Sequence, residues 1–280
     1  MIVQPGGAIS RSRSGDRSYT VTSNAYARRE DKFWIVRLKR AATALAIVLI
    51  LGVSGIGWFG LSAPALSHAP LADGLIDATS VEGRALFATS LQVDYGQLSP
   101  YLVGQTRRAY CGVATGAVVV NALRHPSTPL TQATFFTPQV AAVRSALRIA
   151  FGGLTLDQLA ELLRAQGLDV IVVYAAQTDL AAFRSAALEV LAEPAQFLIA
   201  NYDRVVLHQQ GAGHISPVGA YDSGSDRFLV LDVAAHKYPP TWVRAVDLWN
   251  AMNTVDSASG ATRGYLLVRE GSPNKNIERI

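Results

Sequence analysis

Cysteine is nearly absent from the sequence, since Cys111 is the only one in 280 residues. A single thiol excludes an internal disulfide framework and a metal centre built from several thiolates. Charged residues are also few, at 16%, whereas 50% of the residues are hydrophobic. This balance excludes a chain that is disordered throughout, and the length suffices for one large domain or two small ones with a substantial core.

Two further absences exclude common binding functions. A glycine-rich phosphate loop is missing, because Gly152 and Gly153 are not followed by Lys-Ser or Lys-Thr. Basic residues are also scarce in the body of the chain: residues 1–40 hold nine of the 25 Lys and Arg but only three of the 21 Asp and Glu. Nucleic-acid binding needs clustered Lys and Arg, so we expect no nucleic-acid partner.

The amino-terminal region divides into three parts. Residues 1–40 are rich in Ser, Arg and Gly and predict a disordered basic arm. Residues 41–62 lack Asp, Glu, Lys and Arg and have about the twenty apolar residues that a helix needs to cross a bilayer. Residues 63–80, with several Pro and Gly, are predicted to form a linker.

Charge asymmetry predicts how this segment lies in a membrane. Basic residues at 37–40 precede the apolar run, and no Lys or Arg follows before Arg84. The arm is therefore expected in the cytoplasm, and the body on the periplasmic or extracytoplasmic side of the inner (cell) membrane, in a single-pass topology. Small residues at 63–65 and 67–69 resemble cleavage sites, so signal-peptide cleavage is an alternative to a retained anchor.

The sequence predicts that the body of the chain, residues 81–270, forms one domain, followed by a tail at 271–280. Helical signals come first, including a capping box from Thr155 to Gln158 ahead of a leucine stripe. Strand-like segments dominate the later part, and they lie at 169–174, 196–201, 216–221, 227–233 and 264–269. The first of them, an apolar run, is predicted to be a buried strand. Helices followed by an antiparallel set of strands predict an α+β fold rather than a doubly wound sheet.

Cys111 is the first candidate for chemistry. It precedes a small, apolar helical segment at 112–123, and the free amides and positive dipole end of a helix amino terminus favour a thiolate. A thiolate is the attacking form of cysteine, so the position suits a nucleophile. The alternative is a small buried hydrophobic residue.

His214 and Asp232 form the second candidate group. His214 stands between glycines at the entrance to a strand, and Asp232 lies among apolar residues, where a carboxylate needs a partner. On adjacent antiparallel strands Asp232 would hold the imidazole in the tautomer that accepts a thiol proton. A structural histidine and a turn or cap aspartate are the alternatives.

Gln105, six residues before Cys111, is the third candidate. Its amide could stabilise an oxyanion together with the Cys111 backbone amide; the alternative is a solvent-facing loop residue. A zinc site has no motif behind it. The remaining histidines lack ligand-like spacing and are predicted to be surface or structural residues: His68, His125, His208 and His236.

Three ordered stretches resemble the phytochelatin synthase family, a papain-like clan of cysteine acyltransferases and peptidases. They read Gln-x5-Cys-Gly-x-Ala at 105–114, Gly-His-x-Ser-Pro-x-Gly-x-Tyr at 213–221 and Asp-Val-Ala-x-x-Lys-Tyr-Pro-Pro-x-Trp-Val at 232–243. The resemblance implies a papain-like fold with a helical half carrying the cysteine and an antiparallel half carrying the histidine and aspartate. It also implies that Cys111 is the nucleophile and that His214 is the base and acid. Asp232 would orient the imidazole, and Gln105 would donate to the oxyanion.

The resemblance further implies glutathione as substrate. Cys111 would cleave its Cys–Gly bond and hold γ-glutamylcysteine as a thioester, which water or a second glutathione then takes up to give γ-glutamylcysteine or phytochelatins. The chemistry requires no cofactor; heavy-metal ions such as cadmium or zinc would activate it when bound to glutathione. Membrane contact through residues 41–62 is the other partner expected, and nothing in the sequence indicates an oligomeric state.

Two departures from the family pattern bear on the products. Ala235 stands where the family usually has Arg after Asp-Val-Ala, and no cysteine-rich carboxy-terminal region is present. Both favour hydrolysis of glutathione over sustained peptide synthesis. Two other functions stay open: a papain-like peptidase that processes other peptides, and a non-enzymatic, membrane-tethered module that binds thiols or metals.

Overall fold

A computed structural model describes residues 19–271, with side chains described for 33–271 other than Ile56. The helices in this part of the chain are α1 (Tyr19–Leu61), α2 (Val81–Thr89), α3 (Val93–Leu98), α4 (Cys111–Arg124), α5 (Pro138–Val143), α6 (Ala146–Gly152), α7 (Leu156–Ala165), α8 (Leu180–Ala192) and α9 (Ala245–Met252). The strands are β1 (Ile76–Asp77), β2 (Leu168–Tyr174), β3 (Gln196–Asp203), β4 (Gly213–Asp222), β5 (Arg227–Val230), β6 (Thr241–Arg244) and β7 (Gly264–Glu270). Short 3₁₀ turns occur at Ser99–Tyr101 and Ala175–Gln177.

The chain divides into two compact units, residues 1–58 and 59–280. The described part of the first unit is helical, and Phe33–Leu61 within α1 is long and apolar enough to cross a membrane. Helix α1 begins at Tyr19, before the boundary predicted at residue 41, so residues 19–40 are helical rather than a disordered arm. This stretch contains neither Gly nor Pro and is rich in good helix formers. Residues 1–18 of the predicted arm lie outside the described residues, as does most of the tail at 271–280.

In the second unit the strands form one antiparallel sheet, in the order β1-β6-β5-β4-β3-β7-β2 within the described residues. Every neighbouring pair runs antiparallel. Together with the helices that precede and flank the sheet, this confirms the α+β class predicted from the sequence.

Helices cover both faces of this sheet. Along β3 the alternation of side chains sends Phe197 and Ile199 into one hydrophobic cluster, with α4 and α7, and Leu198 into the other, with α8 and α9. A strand covered on both faces is apolar at successive positions, and β3 is buried along nearly its whole length.

Two strand predictions need correction. The segment at 169–174 is predicted to be buried, but among the described residues β2 is an edge strand with β7 as its one neighbour, and Ile171 is 58% exposed. The run of β-branched residues therefore predicted the strand correctly but did not predict its exposure. The strand predicted for 227–233 ends at Val230, so Asp232 lies just beyond β5.

Residues assigned by the sequence to a linker contact the second unit closely. Ser67 and Ala69 donate backbone hydrogen bonds to the carbonyls of His236 and Lys237, and β1 pairs with β6. Ser80 then caps α2 by accepting from the amide of Gly83.

Two contacts fix α4 against the start of β4. The Thr115 hydroxyl donates to the Ile215 carbonyl at 3.1 Å in the buried interior. Gly112 packs at the same junction, because a Cβ there would lie 3.5 Å from Cδ1 of Ile215 and only 2.8 Å from Cδ1 of Leu154. The amino terminus of α4 and the first residues of β4 consequently meet.

Candidate active site

Cys111 is the first residue of α4, as the sequence predicts. The preceding residue, Tyr110, provides no side-chain cap, so the first amides of the helix are left for other partners. The sulfur hydrogen-bonds to the backbone of Ile215 and Gly112. Because Ile215 directly follows His214, the thiol lies beside the segment that carries the imidazole.

His214 and Asp232 are brought together by β4 and β5. Nε2 of His214 lies 2.9 Å from Oδ1 of Asp232, and both side chains are almost fully buried. The backbone amide of Ala234 donates to the same Oδ1 at 2.8 Å. With Nε2 bound to the carboxylate, Nδ1 is the imidazole nitrogen that can exchange a proton with a neighbouring group.

Arg204, at the end of β3, is a third member of this buried group. Its Nη2 donates to Oδ1 and Oδ2 of Asp232 at 2.8 and 2.7 Å, and its Nη1 donates to Oε1 of Gln209 at 2.7 Å. The guanidinium also lies over the rings of Tyr202 and Tyr238. Asp232 is therefore shared between an arginine and a histidine.

The charges of this group set its protonation. Burial alone would raise the pKa of Asp232, but the charges and hydrogen bonds of His214 and Arg204 hold it well below its usual range. Burial lowers the pKa of His214 to about 4, with the Arg204 charge acting in the same direction and Asp232 opposing both. At neutral pH the aspartate is ionised and the imidazole is neutral.

The state of Cys111 differs from the sequence prediction. Burial raises the pKa of the thiol, although the backbone hydrogen bonds with Ile215 and Gly112 and the charge of Arg204 lower it in part. The sequence predicts that the helix terminus favours a thiolate, but the cost of desolvating a charged sulfur is larger. The resting site therefore holds a neutral thiol.

Gln105 is buried in the loop before α4, and its backbone amide donates to the Val233 carbonyl at 2.7 Å. Its Nε2 donates to the carbonyls of Arg107 and Arg108 at 2.9 and 2.7 Å, while Oε1 has no partner. The side chain lies at the same site as Cys111, but in this conformation both amide hydrogens are engaged. Donation to an oxyanion would require the release of one of them.

A cavity of about 440 Å³ joins these residues, with Gln105, Cys111 and His214 in its wall. Arg108 and Lys237 also line it and take part in none of the ion pairs among the described residues. Unpaired cations around a thiol indicate a site for an anionic ligand.

Arg263 and Asp256 lie in the wall of the same cavity. Nε of the buried Arg263 has no hydrogen-bond partner, and its Nη2 lies 3.9 Å from Oδ1 of Asp256. An unpartnered buried guanidinium nitrogen is costly unless a ligand satisfies it. Nη1 of Arg263 also lies 3.8 Å from Oδ2 of Asp203, which is not part of the cavity wall. Within the wall, the guanidinium and the Asp256 carboxylate are too far apart for a strong mutual bond and can bind a zwitterionic group.

The histidines predicted to be surface or structural occupy different positions. His236 lines the cavity, whereas His125 caps the carboxyl end of α4 in a left-handed conformation. His68 and His208 also have left-handed backbones. Within the described residues no group of three or more His, Cys, Asp or Glu is placed to hold a metal ion.

Two residues of the site, Arg204 and Arg263, were not predicted from the sequence. Neither belongs to a recognisable motif, and each reaches the site only through strand pairing. One signal was present: Tyr202 and Arg204 flank the end of a buried strand, where an arginine is expensive without a carboxylate partner.

A thiol at a helix amino terminus, next to a buried imidazole–carboxylate pair, is the arrangement typical of cysteine-dependent acyl-transfer proteins. A family model described as phytochelatin synthase matches residues 66–265. The chain belongs to the phytochelatin synthase family, which confirms the resemblance seen in the sequence.

Curated relatives carry the corresponding names. The chain is 35% identical to glutathione gamma-glutamylcysteinyltransferase 3 of Lotus japonicus, over 69% of this chain and 42% of the relative. It is 35% identical to glutathione gamma-glutamylcysteinyltransferase 1 of Triticum aestivum, over 70% and 41%. For glutathione gamma-glutamylcysteinyltransferase of Schizosaccharomyces pombe the identity is 30%, over 66% and 47%. The chain thus spans less than half the length of these relatives.

Proposed function

We propose that the protein is a cysteine-nucleophile enzyme that cleaves the Cys–Gly bond of glutathione through a γ-glutamylcysteinyl thioester on Cys111. The observation that carries the proposal is the buried His214–Asp232 pair, which shares one cation-lined cavity with the chain's single thiol. The names of the relatives support the same substrate. We further propose that the arrangement of helices and sheet is papain-like, with α4 supplying the nucleophile.

The proposed reaction begins with a neutral Cys111 thiol and a neutral His214 imidazole. As Sγ of Cys111 attacks the carbonyl carbon of the Cys–Gly bond, its proton moves to Nδ1 of His214. Asp232 stabilises the imidazolium that forms, and the imidazolium then protonates the glycine amine as the C–N bond breaks. Glycine leaves, and γ-glutamylcysteine is held as a thioester.

The second half-reaction decides the product. Water attacking the thioester releases γ-glutamylcysteine, whereas the amine of a second glutathione gives a phytochelatin. His214 accepts the proton of the attacking group in either case. Ala235 supplies no positive charge next to the site, in contrast to the arginine usual in the family, so we propose that hydrolysis dominates.

The cavity fits the charges of glutathione. At neutral pH this tripeptide carries two carboxylates and one ammonium group. Its γ-glutamyl head is zwitterionic, and we propose that Arg263 binds the carboxylate of this head and Asp256 its ammonium. The glycine carboxylate would then lie near Arg108 or Lys237.

Product analysis with the purified full chain tests this function. Glutathione should yield equimolar glycine and γ-glutamylcysteine, with longer γ-glutamylcysteine chains as a minor product. Cys111→Ser should abolish glycine release without changing the unfolding midpoint, and Ser90→Ala, which changes a hydroxyl bonded locally to Phe87, is the control. Continued glycine release by Cys111→Ser would refute the nucleophile assignment.

Two further experiments distinguish the proposed function from the alternative functions and test the effect of cadmium. Cleavage of an unrelated Xaa–Gly peptide as fast as glutathione would favour a general papain-like peptidase, and binding of thiols without turnover would favour a non-enzymatic module. Addition of cadmium tests activation by metal-bound glutathione thiolates. If cadmium raises the rate only in proportion to the cadmium–glutathione complex, the metal acts through the substrate.

We also propose that residues 41–62, which include the apolar part of Phe33–Leu61, anchor the protein in the cell membrane with the catalytic unit on the extracytoplasmic side. The apolar length of this segment and the basic residues at 37–40 support this orientation. A reporter fused at the carboxyl terminus, active only outside the cytoplasm, is the expected result. Activity of a cytoplasmic reporter would reverse the orientation.

A further inference from the structure

A short segment between α1 and β1 is bonded to one wall of the cavity. We call residues 67–69 the strap. The backbone amides of Ser67 and His68 donate to the His236 carbonyl at 2.8 and 3.2 Å, and the amide of Ala69 donates to the Lys237 carbonyl at 3.0 Å. The strap therefore contacts two consecutive residues whose side chains line the cavity.

The wall that the strap contacts is part of a loop, residues 232–238, that begins at Asp232. Within this loop the amide of Lys237 donates to the Ala234 carbonyl at 2.7 Å. The Lys237 ammonium lines the cavity and joins none of the ion pairs among the described residues. Because its backbone carbonyl is bonded to the strap, the position of this free cation depends on the strap.

The backbone of the strap is itself constrained. His68 has a φ of 35°, in the left-handed region that non-glycine residues seldom adopt. Such a conformation persists where surrounding contacts impose it, and the three backbone hydrogen bonds to residues 236 and 237 are those contacts.

We propose that the strap is a positioning element of the cavity, which holds Lys237 where its ammonium attracts a carboxylate of the substrate. This inference rests on the proposed function, because it assigns that carboxylate to glutathione. It also assigns residues 67–69 to the catalytic unit, in agreement with the family match that begins at residue 66.

Substitutions at His68 test the proposal in the full chain. His68→Val should disfavour the left-handed backbone, whereas His68→Gly removes the side chain but adopts this backbone readily. Leu66→Val is the matched control, since Leu66 is exposed and its amide makes no hydrogen bond. For His68→Val we expect the KM for glutathione to rise about tenfold, the size expected for loss of one contact to a charged group, while kcat changes less than twofold. His68→Gly and Leu66→Val should behave as wild type.

A second readout does not depend on any activity. Cys111 is the only thiol of the chain, so alkylation by anionic iodoacetate and by neutral iodoacetamide can be compared at one atom. A cation held near the sulfur accelerates the anionic reagent selectively. The ratio of the two rates should therefore fall severalfold in His68→Val and stay unchanged in His68→Gly.

The two readouts separate the two proposals. If wild type does not cleave glutathione but the alkylation ratio falls in His68→Val alone, the proposed function fails and the strap inference stands. If KM and the ratio are unchanged in His68→Val, or change equally in His68→Gly, the strap inference is overturned. Should His68→Val fail to fold, Ala69→Pro, which removes the amide bonded to Lys237, is judged by the same criteria.

Discussion

Asp94 offers a test of the electrostatics that does not involve the reaction. This residue of α3 is fully buried, and neither of its carboxyl oxygens has a hydrogen-bond partner. Burial raises the pKa of Asp94 to about 8, because an ionised carboxylate is poorly solvated there. The folded protein therefore keeps a proton on Asp94 at neutral pH, which the unfolded chain releases.

The size of the effect follows from this difference in proton binding. The carboxyl has its ordinary pKa of 3.8 when the chain unfolds. The contribution of Asp94 to stability is complete below that value and is lost as the pH rises through the folded pKa of about 8. Each pH unit in this window lowers the free energy of unfolding by about 1.4 kcal/mol, so between pH 5 and pH 7 the loss is about 3 kcal/mol.

Replacing Asp94 by Asn removes this pH dependence. The neutral amide also lacks partners, so its own cost is constant with pH and cancels when two pH values are compared. Relative to wild type, we expect Asp94→Asn to gain about 3 kcal/mol in the free energy of unfolding on going from pH 5 to pH 7. Urea unfolding of the full chain in detergent, followed by tryptophan fluorescence at several pH values, measures this difference.

Asp222 provides a control of opposite sign. Its carboxylate accepts hydrogen bonds from Thr89 and Ser225, and although burial alone would raise its pKa, these bonds lower it. The contribution of the Asp222 carboxylate to the free energy of unfolding is present above pH 4 and is lost only in more acidic solution. Asp222→Asn should thus destabilise the protein by the same amount at pH 5 and pH 7. If Asp94→Asn also shifts stability equally at both pH values, Asp94 is ionised in the folded protein and the reasoning is refuted.

Three further predictions concern two residues of the cavity wall and one residue of the adjacent loop 232–238. Arg204→Gln should lower kcat by an order of magnitude or more. It should also move the acid limb of the pH profile of kcat to higher pH, because the arginine charge no longer lowers the pKa of His214. An unchanged acid limb would contradict the electrostatic coupling between Arg204 and His214. Arg263→Gln should raise the KM for glutathione about tenfold with kcat nearly constant, and Arg263→Lys should have an intermediate KM. A fall in kcat alone would show that Arg263 does not act in substrate binding. Ala235→Arg should increase the ratio of phytochelatin to γ-glutamylcysteine, and an unchanged product ratio would show that this position does not select the acceptor.

The local patterns of the sequence were sufficient to place the principal groups. The small, apolar run after Cys111 and the glycines around His214 predicted where a helix and a strand begin, and the structure has α4 and β4 there. The carboxylate of Asp232 among apolar residues predicted a partner, because its burial without one is expensive. These inferences rest on neighbouring residues, where sequence carries the most information.

Features that depend on tertiary contacts were not predictable in this way. Arg204 reaches Asp232 across 28 positions because β3 and β5 both pair with β4, which brings the end of β3 and the loop after β5 together. The protonation of Cys111 also escaped prediction, since the helix terminus is a local feature whereas burial is set by α4, β4 and the loop before α4 together. The edge position of β2 depends on the order of all the strands.

Burial, assisted at His214 by the sharing of Asp232 with Arg204, keeps the thiol and the imidazole of the resting site neutral. A carboxylate bonded only to an imidazole would raise the pKa of His214 and favour an imidazolium beside a thiolate. Burial and the Arg204 charge together lower the pKa of His214, so the imidazole keeps its basic form. Burial also keeps the proton on the thiol, although the Arg204 charge favours the thiolate. In the proposed reaction, proton transfer would be coupled to attack on glutathione, whose carboxylates would bring negative charge into a cavity lined by Arg108, Lys237 and Arg263. Burial is the main cause of the low pKa of His214, and the Arg204 charge adds to it. A bound anion would offset part of that positive charge, so in this proposal the substrate raises the basicity of the imidazole that accepts the thiol proton.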